Sequence, residues 1–299
     1  MDCNLFKFCS GLRFLGYFMI VLVAAVVALS YYTVVVITWG PKVLRGGSDS
    51  ALSLSIILLF HILLVLLMWS YLRVVVEDPG SVPENWNPME EENLEDGAGG
   101  SLTIDYVAPG TSERRRTVGY CGRCQNGKPP RCHHCSICQR CVLKMDHHCI
   151  WVVNCVGARN YKFFFLFLLY TFLETTLDCI VLLPKFINFF GEAKNGSTSP
   201  GNLAVTFLAF VLNLAFALSL LGFTIMHTSL ILSNTTSVEV HEKKKGVRWK
   251  YDLGRKKNFE QVFGTKKALW FFPLISKEDL ECIPALAGLD FPTRSDVDG

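Results

Sequence analysis

The residues with the richest chemistry in this 299-residue sequence lie in one short polar segment. Eight of the twelve cysteines and four of the seven histidines lie between Cys121 and Cys155. A disulfide framework has no need of imidazoles, so this crowding of Cys with His indicates a metal site. Thiolate and imidazole are the usual ligands of tetrahedral zinc. The twelve candidate ligands can fill two four-ligand sites and leave four groups over.

The groups left over can include the imidazole of His147 and the thiol of Cys149, and Asp146 adds an acid to the same run. A carboxylate that orients an imidazole, which in turn activates a thiol, is a nucleophilic triad. A nearby imidazolium or metal also makes a thiolate available at neutral pH. Spacing alone fits a zinc fold without catalysis equally well. The triad, placed just before an apolar stretch, favours covalent catalysis at a membrane surface.

Four apolar stretches place this segment at a bilayer. The chain is 51% hydrophobic and only 18% charged, which excludes an ordinary soluble domain, and its net charge of +3 makes no case for nucleic acid. A helix needs about 20 apolar residues to cross about 30 Å of hydrocarbon. The predicted spans are Leu12–Ile37, Leu52–Val76, Phe163–Phe190 and Leu203–Leu232.

Basic residues predict which side of the membrane each loop occupies. Ten Lys and Arg lie in the loop between the second and third spans and twelve in the tail after Leu232, against two in each other loop. The positive-inside rule therefore places this loop, the tail and both termini in the cytosol, where thiols stay reduced. The Asn195-Gly-Ser sequon would then face the lumen and could be glycosylated.

These features divide the chain into five predicted parts. The linker is rich in Glu, Gly and Ser, which predicts flexibility. The tail mixes basic with aromatic residues, which is typical of a segment that lies at a membrane surface or packs on a cytosolic domain. The parts are a cytosolic N-terminus with two spans (1–76), a flexible linker with an Asp-Pro-Gly motif (77–118), a cysteine-rich catalytic domain (119–162), two further spans (163–232) and a cytosolic tail (233–299).

One long pattern carries a family resemblance. It reads Cys121-x2-Cys124, Lys128-Pro129-x-Arg131-x-His133-His134-Cys135-x2-Cys138-x2-Cys141, and then Asp146-His147-His148-Cys149-x-Trp151-x2-Asn154-Cys155-x-Gly157-x2-Asn160. This run closely resembles the cysteine-rich domain of the Asp-His-His-Cys palmitoyltransferases. The resemblance extends to Asp78-Pro79-Gly80, Thr236-Ser237-x-Glu239, Asn258 and Phe263, so it covers nearly the whole chain. Ile150 stands where the family usually has Pro, and Ser237 where a second Thr is usual.

The resemblance implies a polytopic α-helical membrane protein with four transmembrane helices. A small cytosolic domain with two structural zinc ions would lie between spans 2 and 3 and fix the loop that carries Cys149. His147 would be the general base for the Cys149 thiol, and Asp146 would hold the imidazole in its useful tautomer. The implied zinc ligands are Cys121, Cys124, His134 and Cys141 for one ion, and Cys135, Cys138, His148 and Cys155 for the other.

The activity implied by the resemblance is protein S-acylation. Cys149 would take a long-chain acyl group from palmitoyl-CoA and pass it to a protein cysteine, with ping-pong kinetics. The expected partners are acyl-CoA, the bilayer and proteins with membrane-proximal cytosolic cysteines, but no nucleic acid. The expected location is an endomembrane, the Golgi first, or the plasma membrane. The expected acyl-CoA contacts are Lys128, Arg131, His133, Trp151 and Glu174, with Glu174 at the far end of the acyl slot.

Three other functions compete with this interpretation. A membrane-anchored zinc adaptor would tolerate replacement of Cys149, and it leaves Asp146 and His147 without a purpose. A zinc transporter needs ionisable residues along a path through several spans, whereas these cysteines lie outside the membrane. A nucleic-acid-binding zinc finger fits worst, because four spans would tether it to a bilayer and its Cys/His spacing differs from the finger pattern.

Overall fold

The structure is a computed structural model that describes residues 9–45, 48–86, 119–195, 199–243 and 249–297. Residues 87–118 of the predicted linker lie outside the described residues, as do the side chain of Asn195 and the rest of its sequon.

Within the described residues, four helices are long and apolar enough to cross a membrane. This result confirms the predicted fold class, in which a cysteine-rich domain separates the second span from the third. The spans run over Leu15–Arg45, Asp49–Val76, Tyr161–Ile187 and Pro200–Leu232.

The first span is longer than predicted because its helix continues in a wider form. Helix α1 (Cys9–Tyr31) passes into a π-helical stretch (Tyr32–Trp39) and then into α2 (Gly40–Arg45). The hydroxyl of Thr38 donates to the carbonyl of Thr33, five residues back, at 2.7 Å. π-Turns of this kind are uncommon within helices, and the apolar pattern does not predict one here.

The other spans are continuous helices, named α3 (Ser48–Val76), α4 (Tyr161–Ile187) and α6 (Pro200–Leu232). A short α5 (Phe189–Asn195) follows α4. Ser199 caps α6, because its hydroxyl accepts a hydrogen bond from the amide of Asn202 at 3.3 Å and Pro200 occupies the first turn.

Helix α4 is the central span. Half of its most apolar window is buried, compared with 17–28% in the other three spans. Near its first residue, Phe163 and Phe167 pack with Tyr71 of α3. Toward its other end, Phe186 stacks on Phe210 of α6 with ring centroids 4.1 Å apart. The cysteine-rich domain leads directly into α4, so the packing of this helix fixes the position of that domain.

The cysteine-rich domain consists of three small antiparallel hairpins. In each hairpin the residue just before the second strand has a positive φ: Gln125, Gln139 and Val153. The repeated left-handed residue closes each turn in the same way. Strands of three residues are too short to be stable alone, so the hairpins need further cross-links. They are β1 (Gly119–Cys121) with β2 (Asn126–Lys128), β3 (His133–Cys135) with β4 (Arg140–Val142), and β5 (His147–Cys149) with β6 (Asn154–Val156).

The Asp-Pro-Gly end of the predicted linker packs on this domain. Asp78 accepts hydrogen bonds from the amide of Gly80 at 2.7 Å and from the guanidinium of Arg140 at 2.7 Å. The amide of Leu143 donates to the carbonyl of Gly80 at 3.0 Å. These contacts fix residues 78–81 in place, so the flexibility predicted for the linker does not extend to its first residues.

The tail after α6 folds back over the cysteine-rich domain and the ends of the spans. Its helices are α7 (Arg255–Phe263), α8 (Lys277–Cys282), α9 (Pro284–Ala287) and α10 (Arg294–Val297), with 3₁₀ turns at Glu239–His241 and Lys267–Leu269.

Candidate active site and metal centres

The hairpins gather the predicted zinc ligands into two groups, and in each group the donor atoms lie within 4.8 Å of one another. Neighbouring residues on a strand point to opposite faces, so His134 and Cys135 on β3 serve different groups. His134 pairs with Cys141 across the second hairpin, and His148 pairs with Cys155 across the third. The groups are Cys121, Cys124, His134 and Cys141, and Cys135, Cys138, His148 and Cys155.

Both groups have the spacing that a tetrahedral zinc ion requires. Bond lengths of about 2.3 Å to sulfur and about 2.0–2.1 Å to nitrogen place neighbouring donors about 3.5–3.8 Å apart. Cys124 Sγ lies 3.2 Å and Cys121 Sγ 3.7 Å from His134 Nδ1. In the second group, the three sulfur atoms lie 3.4–3.8 Å from His148 Nδ1. Three thiols and one imidazole at these distances suit zinc in each site.

The carboxylate predicted to orient the catalytic imidazole is in direct contact with it. His147 Nδ1 lies 2.7 Å from Asp146 Oδ2, and the Asp146 side chain is fully buried. Burial alone raises the pKa of Asp146, but the hydrogen bond and the charge of His147 hold that pKa below its ordinary value. Asp146 therefore stays a carboxylate that can orient the His147 ring.

The alternation of strand β5 separates the thiol chemistry from the metal site. His147 and Cys149 lie on one face and His148 on the other, where it joins the second zinc group. The Cys149 side chain is close enough to His147 to affect the pKa of its imidazole. Burial lowers the pKa of His147, but the hydrogen bond with Asp146 and the neighbouring Cys149 side chain outweigh that effect and raise it to about 9. At neutral pH this pKa favours the imidazolium form of His147, which stabilises a thiolate at Cys149.

The Cys149 loop lies on the ends of the spans. Cys149 is buried in the same apolar cluster as Tyr71, Val152 and Phe163. The hydroxyl of Tyr71 donates to the carbonyl of Trp151 at 3.1 Å, which ties the loop to α3. The ring of His147 meets Phe164 edge-on, with centroids 5.1 Å apart. The thiol therefore faces apolar side chains at the top of the bundle, where an acyl chain could enter.

Known proteins share this whole arrangement in sequence. A family model described as DHHC palmitoyltransferase matches residues 116–244. Probable protein S-acyltransferase 12 of Arabidopsis thaliana is 63% identical, over 99% of each chain. Probable protein S-acyltransferase 14 of the same plant is 55% identical, over 100% of this chain and 97% of its own. Palmitoyltransferase ZDHHC20 of Mus musculus is 33% identical, over 95% of this chain and 82% of its own. The chain belongs to the DHHC palmitoyltransferase family.

Membership of the DHHC palmitoyltransferase family confirms the activity predicted from the sequence, which is protein S-palmitoylation. The chain is an acyltransferase with four candidate membrane helices, and its substrates are acyl-CoA and proteins. The two Cys/His groups are suited to two zinc ions, as predicted.

A short motif in the tail of this DHHC protein completes the site. The amide of Ser237 donates to Asp146 Oδ1 at 2.8 Å, and the hydroxyl of Ser237 donates to Asp146 Oδ2 at 2.9 Å. Sequence reasoning missed this role, although the Thr236-Ser237-x-Glu239 motif was its signal. Ser237 stands where a second Thr is usual, and it keeps the hydroxyl that this contact needs.

The five residues predicted to contact acyl-CoA lie in two regions, with Lys128, Arg131 and His133 near one another on the cysteine-rich domain. Arg131 is buried against the tail, where its guanidinium donates to Glu239 at 2.6 Å and to Asn234 at 2.9 Å. Lys128 and His133 are half-buried and close enough that burial and then the Lys128 charge lower the pKa of His133.

Of the remaining two predicted contacts, Trp151 belongs to the Cys149 loop and Glu174 lies within the helical bundle. Trp151 packs against Phe216 of α6, with ring centroids 6.3 Å apart. Glu174 lies deep in α4, buried, and neither of its carboxylate oxygens has a hydrogen-bond partner among the described residues. One turn further along α4, the buried Asp178 is likewise without a partner for its oxygens.

Two zinc ions per chain are expected in the purified protein, and Cys138→Ala is expected to lower this number to about one, because only three ligands of the second group remain. Elemental analysis by mass spectrometry measures both values. Cys132→Ser is the matched control, because Cys132 is buried in the same domain but belongs to neither ligand group. Two ions in the Cys138→Ala variant would mean that the ligand set is different.

Proposed function

We propose that this acyltransferase carries the acyl group on Cys149, with His147 as general base and Asp146 as the group that orients it. The observation that carries the proposal is the 2.7 Å contact between Asp146 and His147 on the strand that presents the Cys149 thiol. The zinc ligands are the two groups of four described above. When bound, the two ions supply structural cross-links between hairpins that are too short to be stable alone.

The first half-reaction forms the acyl-enzyme. Asp146 engages Nδ1 of His147, so Nε2 is the nitrogen that takes the proton from the Cys149 thiol. The sulfur attacks the thioester carbonyl of palmitoyl-CoA, and the bond from carbonyl to CoA sulfur breaks. His147 then returns the proton to the CoA sulfur, and CoA leaves as a thiol.

The second half-reaction reverses this chemistry with a protein thiol. His147 takes the proton of the substrate cysteine, whose sulfur attacks the Cys149 thioester. The proton then returns to the Cys149 sulfur as the S-acyl product leaves. One thioester replaces another in both steps, so acyl-CoA is the only energy source that the reaction needs.

The acyl chain lies along α4 in this proposal, below the apolar cluster that holds Cys149. Burial of each methylene contributes about 0.8 kcal/mol. Glu174 lies about 18 Å beyond Lys162 at about 1.5 Å per residue, and a buried carboxyl group at that depth would end an apolar slot. The phosphates of CoA meet Lys128 and His133 at the domain surface, because Arg131 is already engaged with Glu239.

Glu174→Ala is therefore expected to lengthen the slot and raise the use of stearoyl-CoA relative to palmitoyl-CoA. An apolar pocket discriminates between two substrates that differ by one methylene by about tenfold or more. Competition between the two labelled donors in single turnovers measures the ratio. Asp178→Ala is the control, because Asp178 lies one turn deeper on α4 and is also buried without a partner for its oxygens. An unchanged ratio in Glu174→Ala would contradict the role of Glu174.

The cysteine-rich domain and both termini face the cytosol in this proposal. The support is the basic charge of the loop and the tail, with ten and twelve Lys and Arg respectively. The protein substrates then carry cysteines close to the cytosolic membrane surface, since Cys149 lies at the ends of the spans. An endomembrane, the Golgi first, is the proposed location. The five-part division predicted from the sequence is retained as the domain organisation.

Incubation of the purified protein with labelled palmitoyl-CoA tests the proposal. We expect up to one label per chain, released by hydroxylamine, mapped to the peptide that contains Cys149 and transferred to an acceptor peptide with one cysteine. A folded, zinc-loaded protein that takes up no label would contradict the proposal. Label found on Cys132 or Cys282 in place of Cys149 would do so as well.

Ser237→Ala is expected to slow formation of the acyl-enzyme by about tenfold, because loss of one hydrogen bond to a charged group costs about 1.5–3 kcal/mol. Asp146→Asn removes the charge itself, and we expect a loss of about 10²–10⁴. Ser237→Thr keeps the hydroxyl and is the matched control, with a rate close to that of the parent. Rapid-quench single turnovers measure all three rates, and equal rates for Ser237→Ala and Ser237→Thr would show that the hydroxyl has no positioning role.

A further inference from the structure

The tail contains a loop with a polar neck and an aromatic tip, formed by residues 264–276 and here called the aromatic loop. At the neck, the amide and the hydroxyl of Thr265 donate to Asp279 Oδ1 at 3.1 and 2.6 Å. Lys266 and Glu278 form an ion pair there at 2.8 Å. These pairs hold the two ends of the loop together and leave the tip to extend from them.

The tip carries large apolar side chains that the described protein covers only in part. Phe271 is 64% exposed and Phe272 is 42% exposed, and Leu274 is also exposed. An exposed apolar patch of this kind marks contact with a membrane or another protein. The neighbours of the tip decide between the two.

The tip lies alongside the spans and below their ends. The hydroxyl of Tyr170 donates to the carbonyl of Phe271. Tyr170 is nine residues beyond Tyr161, which begins α4, or about 14 Å along the helix axis. Helical side chains lean back toward the N-terminus, which reduces this depth without removing it.

Contacts with the second span also place the tip below the ends of the spans. The ring of Phe272 contacts Trp69 of α3, with centroids 6.3 Å apart. Trp69 precedes Val76, the last residue of α3, by seven residues, or about 10 Å. Leu72 and Val76 lie between Trp69 and the helix end, and both are exposed apolar residues on a candidate membrane span. Apolar side chains between the Phe272 level and the end of this span are therefore exposed on the outer surface of the bundle.

Side chains donate hydrogen bonds to backbone carbonyls of the aromatic loop, which a segment in a medium without water requires. Lys162 is buried, and its Nζ donates to the carbonyls of Leu269 at 2.9 Å and Leu274 at 2.5 Å. The Trp270 indole donates to the carbonyl of Gly264 at 3.0 Å. With the Tyr170 contact, side chains donate to four carbonyls of this segment, and the carbonyl of Leu269 also accepts a hydrogen bond from the amide of Phe272. Non-helical backbone is tolerated at membrane depth only when its polar groups are satisfied in this way.

We propose that the tip of the aromatic loop, Phe271 to Leu274, inserts into the acyl-chain region of the bilayer, and that Lys162 is the residue that positions it there. The tip continues the lipid-facing surface of α3 and α4, so the bilayer is the partner that fits. The loop follows directly on α7, so insertion would also anchor the tail against the spans. The proposal does not depend on the chemistry at Cys149.

Photo-crosslinking in lipid nanodiscs tests the insertion. In the full-length protein, Phe271→p-benzoylphenylalanine is expected to form lipid adducts, detected by mass spectrometry, at a level similar to Leu72→p-benzoylphenylalanine. Tyr120→p-benzoylphenylalanine is the negative control, because Tyr120 is an exposed aromatic residue of the cysteine-rich domain. Adducts at Phe271 no more frequent than at Tyr120 would overturn the proposal, and so would crosslinks to a second copy in place of lipid.

Lys162→Met tests the positioning role in the same assay. It keeps an apolar stem and removes the donors to the carbonyls, so adducts at Phe271 are expected to fall several-fold while the zinc content stays unchanged. Lys162→Arg keeps donors and is expected to recover most of the adducts. Undiminished lipid adducts in a zinc-loaded Lys162→Met variant would refute the positioning role. If Lys162→Met does not fold, the comparison of Phe271 with Tyr120 still decides the insertion.

Discussion

Cys149→Ser is expected to reduce formation of the acyl-enzyme below detection. Removing the nucleophile of a covalent enzyme costs on the order of 10⁶-fold in rate, and a serine hydroxyl beside His147 is far less acidic than a thiol. Any acyl group that did reach the serine would form an oxygen ester, which resists the mild hydroxylamine treatment that releases thioesters. The measurement is single-turnover labelling with palmitoyl-CoA, followed by hydroxylamine release.

The matched control for this prediction is Cys132→Ser. Cys132 is a buried thiol of the same domain that packs with Cys121 and Cys141 but belongs to neither zinc group. Burial raises its pKa to about 11, so it is a poor nucleophile at neutral pH. We expect the control to label like the parent and to retain two zinc ions. Equal labelling of Cys149→Ser and the parent would mean that a residue other than Cys149 carries the acyl group.

Local sequence patterns predicted the membrane spans and the zinc sites, because both depend on residues that are close together in the chain. Apolar length alone located four spans, because a helix in hydrocarbon must satisfy its own backbone. Spacing alone identified two zinc sites but left twelve candidate ligands. The hairpin register then explains the assignment that the family resemblance implied. His134 and Cys135 are neighbours on a strand, so they must face different ions.

Contacts between distant parts of the chain lay beyond that reasoning. Ser237 reaches Asp146 across 91 residues, and Arg131 reaches Glu239 across 108. Lys162 meets the tail carbonyl of Leu274 across 112 residues. No periodicity in the sequence encodes such pairs, because they depend on how the tail packs on the domain. The family motif predicts a phosphate contact for Arg131, and this stays a prediction. The motif does not predict the buried carboxylate of Glu239 that the guanidinium contacts in the structure.

Arg131→Met is expected to lower the free energy of unfolding of this region by about 3–5 kcal/mol, because it leaves the Glu239 carboxylate buried without its partner. The two side chains are only 1% and 2% exposed, and the guanidinium lies 4.6 Å from the Tyr251 ring centroid. The midpoint of thermal unfolding in detergent measures the loss. Arg140→Met is the control, since the Arg140–Asp78 pair is 36% and 45% exposed and such pairs contribute about 0–1 kcal/mol.

The double variant Arg131→Met/Glu239→Met separates a structural role of Arg131 from a role in binding acyl-CoA. It removes both buried charges, so it is expected to recover much of the lost stability, as buried pairs replaced by apolar side chains often do. If Arg131 acts through the tail, this stabilised variant should also recover a KM for palmitoyl-CoA close to that of the parent. If Arg131 contacts a CoA phosphate, the KM should stay high although stability returns. Recovery of both quantities together would place Arg131 among the residues that hold the tail, and with it Ser237, against the catalytic carboxylate.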